Sequence, residues 1–203
     1  MLTKLKKRVE PLLATGAKAA YNVGLTPNKI SAIGAVSALL SAIAYVSWQS
    51  NRFNLILATF LLLMSGFCDA LDGVLARLYD KATDFGGFLD SLLDRYADAV
   101  VYSGIIVGGL CDLEWGLAAL VSSLLVSYSR SRAEAAGITM ETVGIAERAD
   151  RMILLAVAGI IAIFWPPRSV MNAAIILLSI LSNVTVLQRL LYAHNKMTRT
   201  SGS

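Results

Sequence analysis

Cysteine and histidine are almost missing from this chain, and charge of either sign is sparse. One histidine, two cysteines and four prolines occur among 203 residues, and only 16% of the residues are charged. His194 stands alone near the C-terminal end and reads as a solvated surface residue. Cys68 and Cys111 fall at opposite ends of the apolar segments, so no disulfide between them is expected. Internal repeats, low-complexity stretches and signs of a second domain are also lacking, so residues 1–203 read as a single domain. No short apolar core with a small-residue cleavage site follows the basic first residues, so no cleavable signal peptide is expected. Charge this thin, set against 56% hydrophobic residues, excludes an ordinary water-soluble domain and points to a membrane protein.

What is present are long apolar runs. Six are expected to span, over 29–48, 54–78, 86–110, 114–134, 148–165 and 169–192, each near the length that a bilayer core requires. The runs do not alternate with period two, so the expected fold is all-α: a six-helix membrane bundle over 29–192. An even number of spans puts both termini on one side. Of 18 Lys and Arg residues, only Arg52 and Arg168 fall in loops on the other side, which makes the side with the termini cytoplasmic. Trp48, Trp115 and Trp165 all fall at the outer ends of spans, as interfacial anchors should.

Residues 1–24 place Lys4, Lys6, Lys7, Arg8 and Lys18 among Leu2, Leu5, Val9, Leu12 and Leu13, interrupted by Pro11. The pattern predicts an amphipathic helix on the inner leaflet. A nucleic-acid contact is the rival reading of these charges, but it wastes the apolar face, so no nucleic-acid partner is expected. Thr26-Pro27-Asn28 reads as a capped helix start.

Four acids stand out. Asp69 and Asp72 are spaced i,i+3, and Asp90 and Asp94 are spaced i,i+4, so each pair shares one face of a helix. Acids inside such segments are costly and usually mark a site. Four together repel unless cations join them, and oxygen ligands of this kind suit Mg²⁺ or Ca²⁺. The loop over 78–83 is short, so the second and third spans are expected as antiparallel neighbours with both acidic pairs at one depth. Two divalent ions about 3.5–4 Å apart would there clamp a phosphoryl displacement. Gly73, Ala76, Gly86 and Gly87 flank the acids and leave room for a base or a diphosphate; close helix packing is the bland explanation of such residues. Asp98 continues the stripe as a supporting residue, and Asp80 and Asp84 read as solvated or capping.

The run from Asp69 to Asp94, D-x₂-D-G-x₂-A-R-x₈-G-x₃-D-x₃-D, resembles the signature of the CDP-alcohol phosphotransferases at every fixed position: Asp69, Asp72, Gly73, Ala76, Arg77, Gly86, Asp90 and Asp94. The resemblance covers the whole length and implies a six-helix bundle with an N-terminal surface helix, acting as a homodimer. It implies that Asp69, Asp72 and Asp90 ligate metal, with Asp94 reaching a second ion and serving as general base. It implies further that Asp72, Gly73, Ala76, Arg77 and Gly86 bind CDP, with Mg²⁺ as the expected ion and Mn²⁺ as an alternative. The implied reaction moves a lipid-phosphate group from a CDP-linked lipid to an alcohol and releases CMP.

The remaining cations bear on the acceptor. Arg130 and Arg132 close the fourth span, Arg148 and Arg151 open the fifth, and Arg189 lies towards the inner end of the sixth. Arginine forks bind phosphate bidentately, so this set suits a phosphorylated acceptor. Ordinary positive-inside charge, with Glu147 and Asp150 as local partners, is the plain alternative. R-A-E-A-x-G and G-I-A-E-R-x-x-R resemble the branch of the family that uses myo-inositol phosphate, in which Lys often stands where this chain has Arg130. The short, basic N-terminus is most similar to archaeal members, implying CDP-archaeol as donor, with CDP-diacylglycerol as the other donor. Glycerol 3-phosphate is the rival acceptor. A cation or proton transporter is the rival class, disfavoured because charge is concentrated at one end of the spans.

Overall fold

The computed structural model of the chain describes residues 2–140 and 143–200, and leaves the side chains of residues 2–10, 12, 199 and 200 outside that description. All regular structure among these residues is helical: α1 (Leu2–Asn22), α2 (Pro27–Val46), α3 (Phe53–Leu78), α4 (Asp84–Val107), α5 (Leu113–Glu134), α6 (Arg148–Phe164) and α7 (Pro167–Thr200). Each stretch expected to span is a helix with ends within three residues of the expectation, except that α7 runs on past residue 192. Pro27–Val46, Phe53–Leu78 and Pro167–Thr198 are long and apolar enough to cross a membrane. The expected α1 helix is present, and Pro11 lies inside it. The basic face expected from Lys4 to Arg8 falls outside the described side chains.

The helices start where side chains satisfy free backbone N–H groups. Thr26 Oγ1 accepts from Lys29 N with Pro27 at the first helical position, as the sequence suggested. Thr83, rather than Asp80 or Asp84, caps α4: its Oγ1 accepts from Gly86 N at 3.0 Å. Glu147 and Asp150 form a capping box at the start of α6.

Six helices close into a ring. α2 packs on α3, α3 on α6, α6 on α7, α7 on α5, α5 on α4 and α4 back on α2, while α1 lies against α3. Small residues set these approaches. A Cβ at Gly104 of α4 would stand 2.6 Å from the carbonyl oxygen of Ala42 on α2, and Ser41 Oγ donates to Ala58 O of α3 at 2.7 Å. The core inside the ring includes Tyr45, Leu62, Val101, Tyr102, Ile105 and Leu155.

One expectation needs correction. α3 and α4 are joined by a short loop but barely touch; α2 packs along both instead. The slim residues of α2, among them Ser31, Gly34, Ala38 and Ala42, let it pack along both helices, and the acidic faces of α3 and α4 meet across the gap that remains.

Candidate active site

The two acidic pairs converge from the C-terminal part of α3 and the first half of α4. Carboxylate oxygens of Asp69, Asp72 and Asp90 lie within 4.8 Å of one another. Like charges this close repel unless a cation joins them, and three hard oxygen donors fit a divalent ion such as Mg²⁺ or Mn²⁺. Asp72 is buried, and Ser31 Oγ donates to its Oδ2 at 2.5 Å, orienting the carboxylate from the first turns of α2.

Asp94 shares a partner on α6 with Asp69. Arg148 Nη1 stands 2.8 Å from Oδ2 of Asp69 and 2.8 Å from Oδ1 of Asp94. The Nε of the same arginine lies 3.4 Å from Asp98 Oδ1, and Asp98 Oδ2 accepts from Arg151 Nη2 at 2.8 Å. The supporting role expected of Asp98 is therefore specific: it pins two arginines. A second ion at Asp94 would share that carboxylate with Arg148.

Two recesses adjoin this acidic centre, each sharing different residues with it. One, of about 160 Å³, shares Ser31, Asp72 and Asp90 with the centre and is completed by Asn28, Gly73, Ala76, Lys81, Thr83, Gly86 and Gly87. The tight turn into α4 explains Gly86, where a Cβ would stand 2.9 Å from Thr83 Oγ1 and 3.1 Å from Asn28 Oδ1. Nothing crowds Gly87. Arg77 lies one turn beyond Gly73 on the exposed side of α3, with Nη1 3.4 Å from where a Gly73 Cβ would stand. Lys81 Nζ sits 4.7 Å from the Tyr21 ring centroid, and Tyr21 stacks on Tyr79 at 3.8 Å, tying α1 to the loop beside this recess.

The other recess, a cleft of about 210 Å³, shares Asp94 and Arg148 with the centre and is lined further by Arg95, Asp98, Arg130, Arg151 and Arg189. Four of the five arginines expected to bind an acceptor phosphate meet here. Arg132 does not: two positions from Arg130 on the same helix, it faces away and lines an apolar groove between α5 and α7 with Tyr128, Leu190 and Met197. Arg130 is held by Glu134 at 2.8 Å. Arg151 and Arg189 are buried and largely committed to the protein, Arg151 Nη1 donating to Ala146 O at 3.0 Å and Arg189 to the carbonyls of Val143 and Val126.

Sequence reasoning missed Ser31, Asn28, Lys81 and Arg95. Asn28 belongs to the helix start that the sequence displayed, but nothing local said that α2 would wedge beside the acids. Arg95 follows Asp94 directly and was obscured by ordinary inner-face charge.

A family model described as CDP-alcohol phosphatidyltransferase matches residues 24–193. The archaetidylinositol phosphate synthase of Pyrococcus horikoshii is 38% identical over 197 residues, covering 97% of this chain and 98% of that one. The archaetidylinositol phosphate synthase of Methanothermobacter thermautotrophicus is 42% identical over 178 residues, 88% of each chain. Among solved structures, Mycobacterium tuberculosis phosphatidylinositol phosphate synthase with CDP-DAG bound superposes with a TM-score of 0.76 at 27% identity, over 90% of this chain and 94% of that one. The same enzyme in complex with manganese and citrate also superposes with a TM-score of 0.76 at 27% identity, over 89% of this chain and 88% of that one.

Proposed function

The chain belongs to the CDP-alcohol phosphatidyltransferase family, and on that premise we propose that it transfers a lipid-phosphate group, archaetidyl before phosphatidyl, from a CDP-linked lipid to myo-inositol phosphate. The observation that carries the reading is the line of three connected spaces: a glycine-rimmed recess, a carboxylate centre and an arginine-lined cleft. A donor nucleotide, a reacting diphosphate and a phosphorylated acceptor need that order.

Asp69, Asp72 and Asp90 would hold a divalent ion, which would supply positive charge against the diphosphate and the departing oxygen. Asp72, Gly73, Ala76 and Gly86 form the nucleotide side, with Asn28 and Lys81 added from the structure; Arg77 does not line the recess but stands one turn beyond Gly73, within reach of a bound diphosphate. Asp94 lies on the wall shared by the carboxylate centre and the arginine cleft, where an acceptor hydroxyl must arrive. It takes the hydroxyl proton; the oxygen attacks the lipid-linked phosphorus, the bond to the bridging oxygen breaks, and CMP leaves with that oxygen. Arg148 and Arg130 face the acceptor phosphate, Arg151 and Arg189 line the cleft while holding its walls in place, and Arg132 takes no part.

The same reading makes the whole chain one domain, with α1 on the membrane surface and α2–α7 crossing it. The basic residues at the acid end, opposed only by Arg52 and Arg168 at the other, support a multi-pass protein of the cell membrane with termini and site in the cytoplasm. Family resemblance supports a homodimer.

The test is CMP release from purified protein with Mg²⁺, CDP-archaeol or CDP-diacylglycerol, and either myo-inositol phosphate or glycerol 3-phosphate. Release with inositol phosphate is the expected outcome. Release with glycerol 3-phosphate alone would overturn the acceptor assignment.

A further inference from the structure

Thr185 lines none of the three spaces, yet it is fully buried on α7 and meets the segment that delivers Arg148. Its hydroxyl accepts from two successive backbone N–H groups, Ile145 at 3.3 Å and Ala146 at 3.1 Å, while donating to Leu181 O at 2.9 Å. One turn further along α7, Arg189 Nε donates to Val143 O at 2.8 Å. Gly144 between these contacts has φ +125, a backbone shape that L side chains rarely adopt, and a Cβ there would collide with Thr185 Cγ2. Glu147 and Arg148 follow at once.

We propose that Thr185 is a positioning residue of the transfer reaction, which staples the 143–146 segment to α7 so that Arg148 enters the acidic centre and the acceptor cleft in one fixed pose. The inference rests on the functional reading above. The hydroxyl provides what the segment lacks, because an irregular segment running past a helix has no backbone neighbour to satisfy two consecutive N–H groups, here one part-buried at Ile145 and one buried at Ala146. Thr185 also binds where α7 is continuous helix, whereas Arg148 sits in the first turn of α6, two residues after the stapled Ala146. Loss of the staple frees the segment carrying Arg148 and leaves the nucleotide recess, built from α2, α3 and α4, unchanged.

The experiment compares steady-state CMP release by wild type, Thr185→Val, Thr185→Ser and Gly144→Ala, in the full-length protein, with separate titrations of CDP-lipid and inositol phosphate. Displacing a substrate-orienting group by an ångström costs up to about a hundredfold, so Thr185→Val and Gly144→Ala are expected to raise the acceptor KM by about tenfold or more. The CDP-lipid KM stays near that of wild type, and Thr185→Ser, which keeps the hydroxyl, restores the acceptor KM. Adding Thr185→Ser to Gly144→Ala removes the Cγ2 in the collision and is expected to recover part of the loss. CDP-lipid binding by each variant reports whether the fold is intact. An unaltered acceptor KM in Thr185→Val, or a parallel rise in both KM values, overturns the inference with an active wild type. A wild type that releases CMP with no phosphorylated polyol overturns the functional reading, and the inference with it.

Discussion

Asp94 differs from the other three acids in where it opens. Asp69, Asp72 and Asp90 face one another and Arg148 meets Asp69 and Asp94 alike, but of the four only Asp94 lines the arginine cleft. Asp94→Asn is therefore expected to keep CDP-lipid binding and to lose turnover by about 10²–10⁴-fold, the usual contribution of a positioned general base. Near-normal turnover of that variant, measured by CMP release, would remove the base assignment. Asp69→Asn is expected to lose divalent-ion binding instead. Ser31 makes a subtler case, since its hydroxyl holds the buried Asp72 carboxylate without touching the other acids. Groups that orient metal ligands are worth about 10–100-fold in metal affinity, so Ser31→Ala is expected to raise the Mg²⁺ concentration for half-maximal activity by that factor. An unchanged Mg²⁺ dependence would show that Asp72 needs no such support. The acids themselves were legible in the sequence because their spacing is a helix property. Ser31 was not, because it lies 41 residues from its partner and meets it only through packing.

At the scale of elements, the approach of α2 to α4 governs where Asp90 and Asp94 stand. Gly104 permits that approach, its missing Cβ leaving room for the Ala42 backbone. Gly104→Val is expected to force the two helices apart and to destabilise the fold by about 1–3 kcal/mol, as overpacking typically does. Thermal unfolding in detergent checks it, with a fall in CMP release as the companion effect on the acids. The far end of the ring has its own clip. Asp112, in the turn between α4 and α5, accepts from Asn172 Nδ2 at 2.7 Å and from Arg168 Nη2 at 3.0 Å, and both bonds hold its carboxyl below the ordinary carboxylate range. A depressed folded-state value means that the contribution is present above the unfolded carboxylate value of about 3.9 and fades as pH falls through the lower folded one. The clip is thus expected to be constant from pH 5 to 8 and to weaken only in acid below about pH 4. Asp112→Asn should flatten that acid limb in a pH series of thermal unfolding, and an identical limb in the variant would assign it elsewhere.

For the whole molecule, the carboxylate centre sits at one end of a closed ring, and exposed apolar side chains such as Val36, Ile43, Phe60 and Ile160 cover the ring's outside. Such a surface suits lipid rather than water. Chelation of divalent ions is expected to abolish CMP release, with recovery on adding Mg²⁺ or Mn²⁺; activity that survives chelation would contradict the reading of Asp69, Asp72 and Asp90. Composition, helix boundaries and the acidic signature were all determined by the sequence itself, because each depends on residues a few positions apart: apolar runs of bilayer length, capping residues, and carboxylates on one helix face. Only the tertiary structure decided the rest. α2 rather than α3 packs along α4, Arg132 leaves the acceptor set that Arg130 joins, Arg148 enters the carboxylate centre, and Thr185 holds the segment that delivers it. Each of these turns on which helix faces meet, and the side chains that decide it are small, buried and distant in sequence, so no local pattern announces them.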